Sequence, residues 1–186
     1  MKNKKLFIYI VIFLSAVLVL IIYFDNIIFK NSDSIKIVEY NSSCVSCRAE
    51  KIVNGDSMMP LIEPGETLIL LEGYYSCNSV QKNDFVAYDY KGNKNPLIKR
   101  VLVLGGDFLE FKNDKLFVNS NELKNGRDEA YQFSEKQKKL ISLYIKDGKL
   151  VENAYLIFGE DIASSLDSRE FGAVGKNGFL GKFEIN

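Results

Sequence analysis

Histidine is absent from all 186 residues. That absence removes any Ser-His-Asp triad, any Cys-His pair and any histidine-ligated metal site that this chain could build alone. Cysteine is scarce, with only Cys44, Cys47 and Cys77. Cys44-Val45-Ser46-Cys47 has the C-x-x-C spacing of redox motifs and of half a zinc site. A zinc site takes about four Cys or His ligands, and one further cysteine does not complete that set, so neither a metal nor another cofactor is implied. A thioredoxin-like domain would place its C-x-x-C between a strand and a helix; here a polar stretch precedes it and the strand-like Ile52-Val53 follows. The expectation is a structural disulfide in an oxidising compartment, with the pairing among Cys44, Cys47 and Cys77 left open. Net charge is lacking too, because 24 Lys and Arg offset 24 Asp and Glu. At the level of total charge no surface for nucleic acid is implied, and the one basic cluster lies around Lys136, Lys138 and Lys139.

What is present begins with an apolar run. Residues 6–24, LFIYIVIFLSAVLVLIIYF, carry no charge. At about 1.5 Å rise per residue the run covers roughly the 30 Å hydrocarbon core of a bilayer. Lys2, Lys4 and Lys5 precede it and Asp25 follows, which places the N-terminal end in the cytoplasm by the positive-inside rule. A cleaved leader has an apolar region of about 7–15 residues and a small-x-small site. This run is longer and no Ala-x-Ala follows it. Residues 1–30 are therefore expected to be a cytoplasmic tip and transmembrane anchor, and residues 31–186 an extracytoplasmic domain.

That domain reads as mainly β, with short strands and frequent turn signals. Strands are expected over residues 35–40, 67–71, 84–90, 97–104, 155–158 and 179–185, with Ile52-Val53 strand-like as well. A hairpin is expected around Asn113-Asp114. Residues 128–146 show no clean period and are expected to be an inserted excursion, with 135–140 able to form a helix.

The stretch NGDSMMPLIEPGETLIL, residues 54–70, holds the first candidate for chemistry, Ser57. Its neighbours alone do not decide its role, since Gly-Asp before a serine and Pro after it are common in turns. Without histidine, a nucleophilic serine needs another base. A lysine serves if its pKa falls, and desolvation can lower it by about 3–5 units. Lys99 in PLIKRVL is embedded in an apolar strand, where it shares a face with Leu97 and Val101 while Arg100 points the other way. The same pattern also suits an edge-strand lysine that guards against aggregation.

Four segments together resemble a known family. Gly55-Asp56-Ser57-Met58-Met59-Pro60 with Pro64-Gly65-Glu66 resembles the nucleophile box of the type I signal peptidases, the bacterial leader peptidases. Asp84-Phe85-Val86-Ala87-Tyr88 is similar to their next strand box. Leu97-Ile98-Lys99-Arg100-Val101 with Gly105-Gly106-Asp107 is similar to their general-base box. Gly159-Glu160-Asp161, Ser165-Leu166-Asp167-Ser168-Arg169 and Phe171-Gly172 resemble their C-terminal box. The boxes keep the family's order over about 120 residues.

The resemblance implies a signal-peptidase-like antiparallel β body behind one N-terminal transmembrane helix, and a serine endopeptidase working by a Ser-Lys dyad. It implies Ser57 as nucleophile and Lys99 as general base. Ser165 would hydrogen-bond and orient Lys99, and Asp167 and Arg169 would form an ion pair supporting the loop. Val53, Met58, Ile62 and Ile98 would line shallow pockets for small residues before the cleaved bond. The implied partners are signal-peptide-bearing precursors and the lipid bilayer, at the bacterial cytoplasmic membrane with the catalytic domain outside. Three departures stand out. Gly55 replaces a serine that serves some relatives as a second oxyanion donor. Leu61 stands where threonine is usual, and Gly-Glu-Asp-Ile where Gly-Asp-Asn-Arg is usual. The alternatives are a dedicated relative that processes one secretion-system or pilin substrate, and a non-catalytic membrane-anchored binding protein.

Overall fold

The computed structural model describes residues 45–91, 93 and 95–185, all within a unit spanning residues 40–186. The expected anchor over residues 6–24, the strand over 35–40 and Cys44 lie outside the described residues. Among the described residues no helix is long and apolar enough to cross a membrane.

Short apolar runs separated by turns form strands, and these strands pair antiparallel throughout. The main sheet holds β1 (Cys47–Ile52), β2 (Thr67–Glu72), β3 (Phe85–Tyr88), β4 (Leu97–Leu104), β10 (Ala154–Phe158), β11 (Val174–Gly175) and β12 (Phe179–Glu184) in the spatial order β1-β2-β12-β3-β4-β10-β11. The last strand thus inserts between β2 and β3, tying the C-terminal end of the chain into the centre of the sheet. A three-stranded sheet of β5 (Leu109–Lys112), β6 (Lys115–Val118) and β7 (Asn121–Glu122) follows β4, with Asn113 at φ 54° in the hairpin turn. Such a left-handed backbone suits asparagine in a tight turn. A two-stranded hairpin, β8 (Ile145–Lys146) and β9 (Lys149–Leu150), completes the β structure.

β1 was not legible as a strand. Its residues CRAEKI lack alternation because it is the edge of the main sheet and five of its six residues are exposed. Edge strands that carry charge resist pairing with other chains.

Residues 128–146 bear out the helix expected over 135–140. They contain helix α1 (Glu135–Ser142), whose N-terminus is closed by a capping box between Ser134 and Gln137. Such a box satisfies two otherwise orphaned backbone donors. Tyr131, Phe133 and Ile141 are buried with Leu102, Val103, Leu116, Leu156 and Phe158 in one core cluster. The periodicity is obscured because only Ile141 of the helix is fully buried; the other two anchors precede the helix. A second cluster, under β2, β12 and β3, contains Val53, Met58, Ile62, Leu68, Leu70, Ala87 and Phe183. It supports the serine-bearing turn from below.

Cys77 is disulfide-bonded, whereas Cys47 is free and exposed. The C-x-x-C therefore does not close on itself through Cys47.

Candidate active site

Ser57 lies in the turn between β1 and β2. The Met59 N–H donates to the Asp56 carbonyl at 2.9 Å and the Ile62 N–H to the Met58 carbonyl at 3.0 Å. This coiling drives Met58 and Ile62 into the core beneath, at 1% and 0% exposure, and leaves Ser57 half-buried above them. Strand β4 supplies Lys99, opposite Val86 of β3. Pairing of β4 with β10 ends at Arg100 and Phe158, so at Lys99 the strand is paired with β3 but no longer with β10. Lys99 Nζ lies 2.7 Å from Ser57 Oγ and donates to the Ile98 carbonyl at 2.8 Å.

Beyond Phe158 the chain turns under the serine. The Asp161 N–H donates to the Ser57 carbonyl at 3.0 Å. Gly159 packs so closely there that a Cβ on it would lie 2.1 Å from Ser165 Oγ and 2.6 Å from the Ser57 carbonyl oxygen. Only glycine allows that approach.

The loop behind is held by buried charges. Asp167 is fully buried and caps the short helix α2 (Ser168–Phe171). Its carboxylate accepts from the Gly159 N–H at 3.2 Å, from the Arg169 N–H at 3.1 Å and from two guanidinium nitrogens of Arg169, both at 2.9 Å. Arg169 also donates to the Ile162 carbonyl at 2.8 Å and stacks 5.4 Å from the centre of the Tyr131 ring. The Tyr131 hydroxyl donates to the Gly159 carbonyl at 2.8 Å. A second pair joins the opposite face of β4: fully buried Glu160 accepts from Arg100 at 2.8 Å and from the Gly126 N–H at 2.5 Å.

Burial, more than these pairings, decides the charge on Lys99. Each buried carboxylate at the site already has an arginine, so the lysine, 1% exposed, has none of its own. Burial disfavours its ammonium and lowers its pKa from 10.5 to about 8; the field of Asp167 opposes the shift and that of Arg169 adds to it. At pH 7 roughly a tenth of Lys99 is then neutral, about 300-fold more than for an unperturbed lysine.

Above the pair runs a groove of about 540 Å³. Val53, Met58 and Ile98 line it, together with Ala87, Pro96, Leu97 and Leu180. Ile62 does not line it, being fully buried below Met58. Ser165 is brought to the site but not to the lysine. Its Oγ is buried with no hydrogen-bond partner among the described residues, while Lys99 Nζ is engaged by Ser57 and the Ile98 carbonyl. Sequence reasoning missed Glu160 as the partner of Arg100, because a strand residue and a loop residue 60 positions apart give no local signal. It also missed Gly159 as a close-approach glycine, although its place just after an apolar strand was a hint.

The family model described as signal peptidase, peptidase S26, matches residues 43–186. The signal peptidase I of Bacillus caldolyticus is 33% identical over 143 residues, covering 72% of this chain and 76% of that protein. The signal peptidase IB of Staphylococcus aureus strain COL is 29% identical over 140 residues, covering 70% and 72%. A crystal structure of a signal peptidase I from Enterococcus faecalis V583 aligns with a TM-score of 0.43 and 23% identity, covering 56% of this chain and 97% of that one. With a family model spanning nearly the whole described domain and a relative one-third identical, the chain belongs to the signal peptidase family, peptidase S26, and is a serine peptidase.

Proposed function

We propose that this protein removes N-terminal signal peptides from exported precursors, with Ser57 as nucleophile and neutral Lys99 as general base. The observation that carries the reading is the approach of Lys99 Nζ to 2.7 Å from Ser57 Oγ in surroundings that hold the lysine pKa near 8. That distance is within the reach required of a nucleophile and its base.

In the proposed reaction the precursor lies extended in the groove, its small side chains against Val53, Met58 and Ile98. Lys99 takes the Ser57 proton as Oγ attacks the scissile carbonyl. The resulting oxyanion is stabilised by the Ser57 N–H, a contribution of about 2.7–4 kcal/mol for such donors. At position 55 glycine offers no side-chain donor, so the backbone carries that role. The ammonium of Lys99 returns the proton to the leaving amine, and an acyl-enzyme remains. Neutral Lys99 then deprotonates water, which attacks the ester and regenerates Ser57. Ser165 acts as packing behind Gly159, and the Asp167–Arg169 pair fixes the loop on which Gly159 and Asp161 sit.

Residues 6–24 would hold the enzyme to the bacterial cytoplasmic membrane, with the N-terminus inside and the catalytic domain outside. Confining enzyme and tethered precursor to one surface raises their effective concentration.

The test is cleavage of a precursor carrying a small-x-small site by the full chain and by its Ser57→Ala and Lys99→Ala variants, followed by mass spectrometry of the product. Both variants should lose processing entirely. Normal processing by either would sink the assignment.

A further inference from the structure

The groove above Ser57 and Lys99 runs on past the residues assigned to the two small side chains. Leu180 of β12, and Pro96 and Asn95 of the turn between β3 and β4, line its continuation. Leu180 is left 41% exposed, although its strand is held between β2 and β3.

A bulge in β12 puts it there. Phe179 opposes Tyr88 and Gly181 opposes Ala87, so β12 advances two residues where β3 advances one. In an unbroken strand residues 179 and 183 would share a face of the sheet, because side chains alternate with a period of two. Here they do not. Phe179 packs with Tyr74, Tyr75 and Val86, whereas Phe183 packs with Val53, Met58 and Leu70. The extra residue reverses the alternation, and Leu180 lines the groove while its neighbour Phe179 is buried. Bulges commonly re-aim a side chain beside an active site.

The floor of the groove is laid in rows across the paired strands. Phe183 stands opposite Leu70 on one side and Phe85 on the other. In the next row Gly181 stands opposite Ala87, and Ala87 opposite Ile98. Leu180 follows at the bulge, and on the β4 side Pro96 stands two residues before Ile98. Rows two residues apart along a strand are separated by roughly 6.6 Å, which is also the interval between side chains on one face of an extended substrate.

We infer that Leu180 is a specificity-determining residue for the fifth residue before the cleaved bond, favouring a large apolar side chain there. The inference rests on the peptidase reading of Ser57 and Lys99. In that reading the substrate lies extended beside residues 96–99, where β10 no longer pairs with β4. A small-x-small segment turns its first and third residues before the bond towards the floor, against Val53, Met58 and Ile98. The fourth residue then points away, and the fifth comes down over the next stretch of floor, which is Leu180. Glu72 also lines this end of the groove, but Lys51 pairs with it at 3.3 Å, so the leucine supplies the apolar surface.

The experiment uses the full chain in detergent micelles and peptides sharing one small-x-small site. Serine or leucine is placed at the fifth residue before the cleaved bond, or in a second series at the fourth. One methylene in an enclosed pocket discriminates by roughly 10–200-fold. The open floor at Leu180 gives less per methylene, so kcat/KM for leucine should exceed that for serine by about tenfold at the fifth position. At the fourth position the ratio should stay within about twofold of one, a control for partition of the peptides into micelles. In Leu180→Ser the fifth-position ratio should fall to within about twofold of one, with cleavage of the serine peptide unchanged. In Leu180→Met the ratio should largely return, since methionine keeps the apolar reach. A fifth-position ratio near one in the wild type, a ratio unchanged by Leu180→Ser, or an equal preference at the fourth position overturns the role of Leu180 and leaves the peptidase reading intact. Failure of the wild type to cleave any of the peptides overturns the peptidase reading and the role of Leu180 with it.

Discussion

Replacing Lys99 with methionine should abolish cleavage and at the same time stabilise the fold. The lysine is 1% exposed, and burial lowers its pKa from 10.5 to about 8. At 1.36 kcal/mol per unit, this difference is a penalty of about 3 kcal/mol for keeping the ammonium out of water. Above about pH 10.5 the lysine is neutral whether folded or unfolded, and the penalty vanishes. As pH falls from there towards 8, the unfolded chain takes up a proton that the folded chain refuses, and folded-state stability declines. Below about pH 8 the full penalty applies. Methionine is close in volume and uncharged, but it forfeits the contacts at 2.7 and 2.8 Å to Ser57 and the Ile98 carbonyl. Those contacts are worth about 1 kcal/mol net, which leaves a gain of about 2 kcal/mol at neutral pH. Urea unfolding of the full chain and of Lys99→Met across pH 6 to 10.5 measures it. The variant should be the more stable by about 2 kcal/mol at pH 7, and its advantage should shrink as pH rises beyond 8. A difference that does not vary with pH, or a wild type more stable than the variant at pH 7, would refute the claim that burial is what lowers the lysine pKa.

The same titration predicts the pH profile of cleavage: kcat/KM should climb about tenfold per pH unit below 8 and level off near it, and a climb continuing to pH 10 would count against a desolvated base. Gly159→Ala should cut kcat by about 100-fold through displacement of the serine, because the added carbon would sit 2.6 Å from the Ser57 carbonyl; single-turnover kinetics on a precursor peptide checks it. Asp167→Asn leaves the Arg169 guanidinium buried without a countercharge and should cost about 3–5 kcal/mol in urea unfolding. A loss under about 1 kcal/mol would mean that the pair does not hold the loop.

The amino-acid sequence by itself determined the strands that have a half-buried or buried pattern. Residues 97–104 read as a strand and are one; 67–71 and 179–185 agree with β2 and β12 to within a residue. Apolar side chains recur there because a sheet face or a core demands them, and the demand is written locally. The absence of histidine and the embedding of Lys99 among apolar residues were local facts too, and they limited which base could serve Ser57. Tertiary structure alone decided the rest. It made β1 a strand by pairing it with β2, although both its faces are largely open to solvent. It packed residues 131, 133 and 141 into the core beside β10, although no period announced them. It paired buried Glu160 with Arg100, 60 positions away, and buried Lys99 beside Ser57, 42 positions away. A pKa near 8 follows chiefly from that burial, with the fields of Asp167 and Arg169 opposing and adding to it. Burial of this kind is a property of where segments meet in space, and residues 42 and 60 positions apart carry no sequence signal of it.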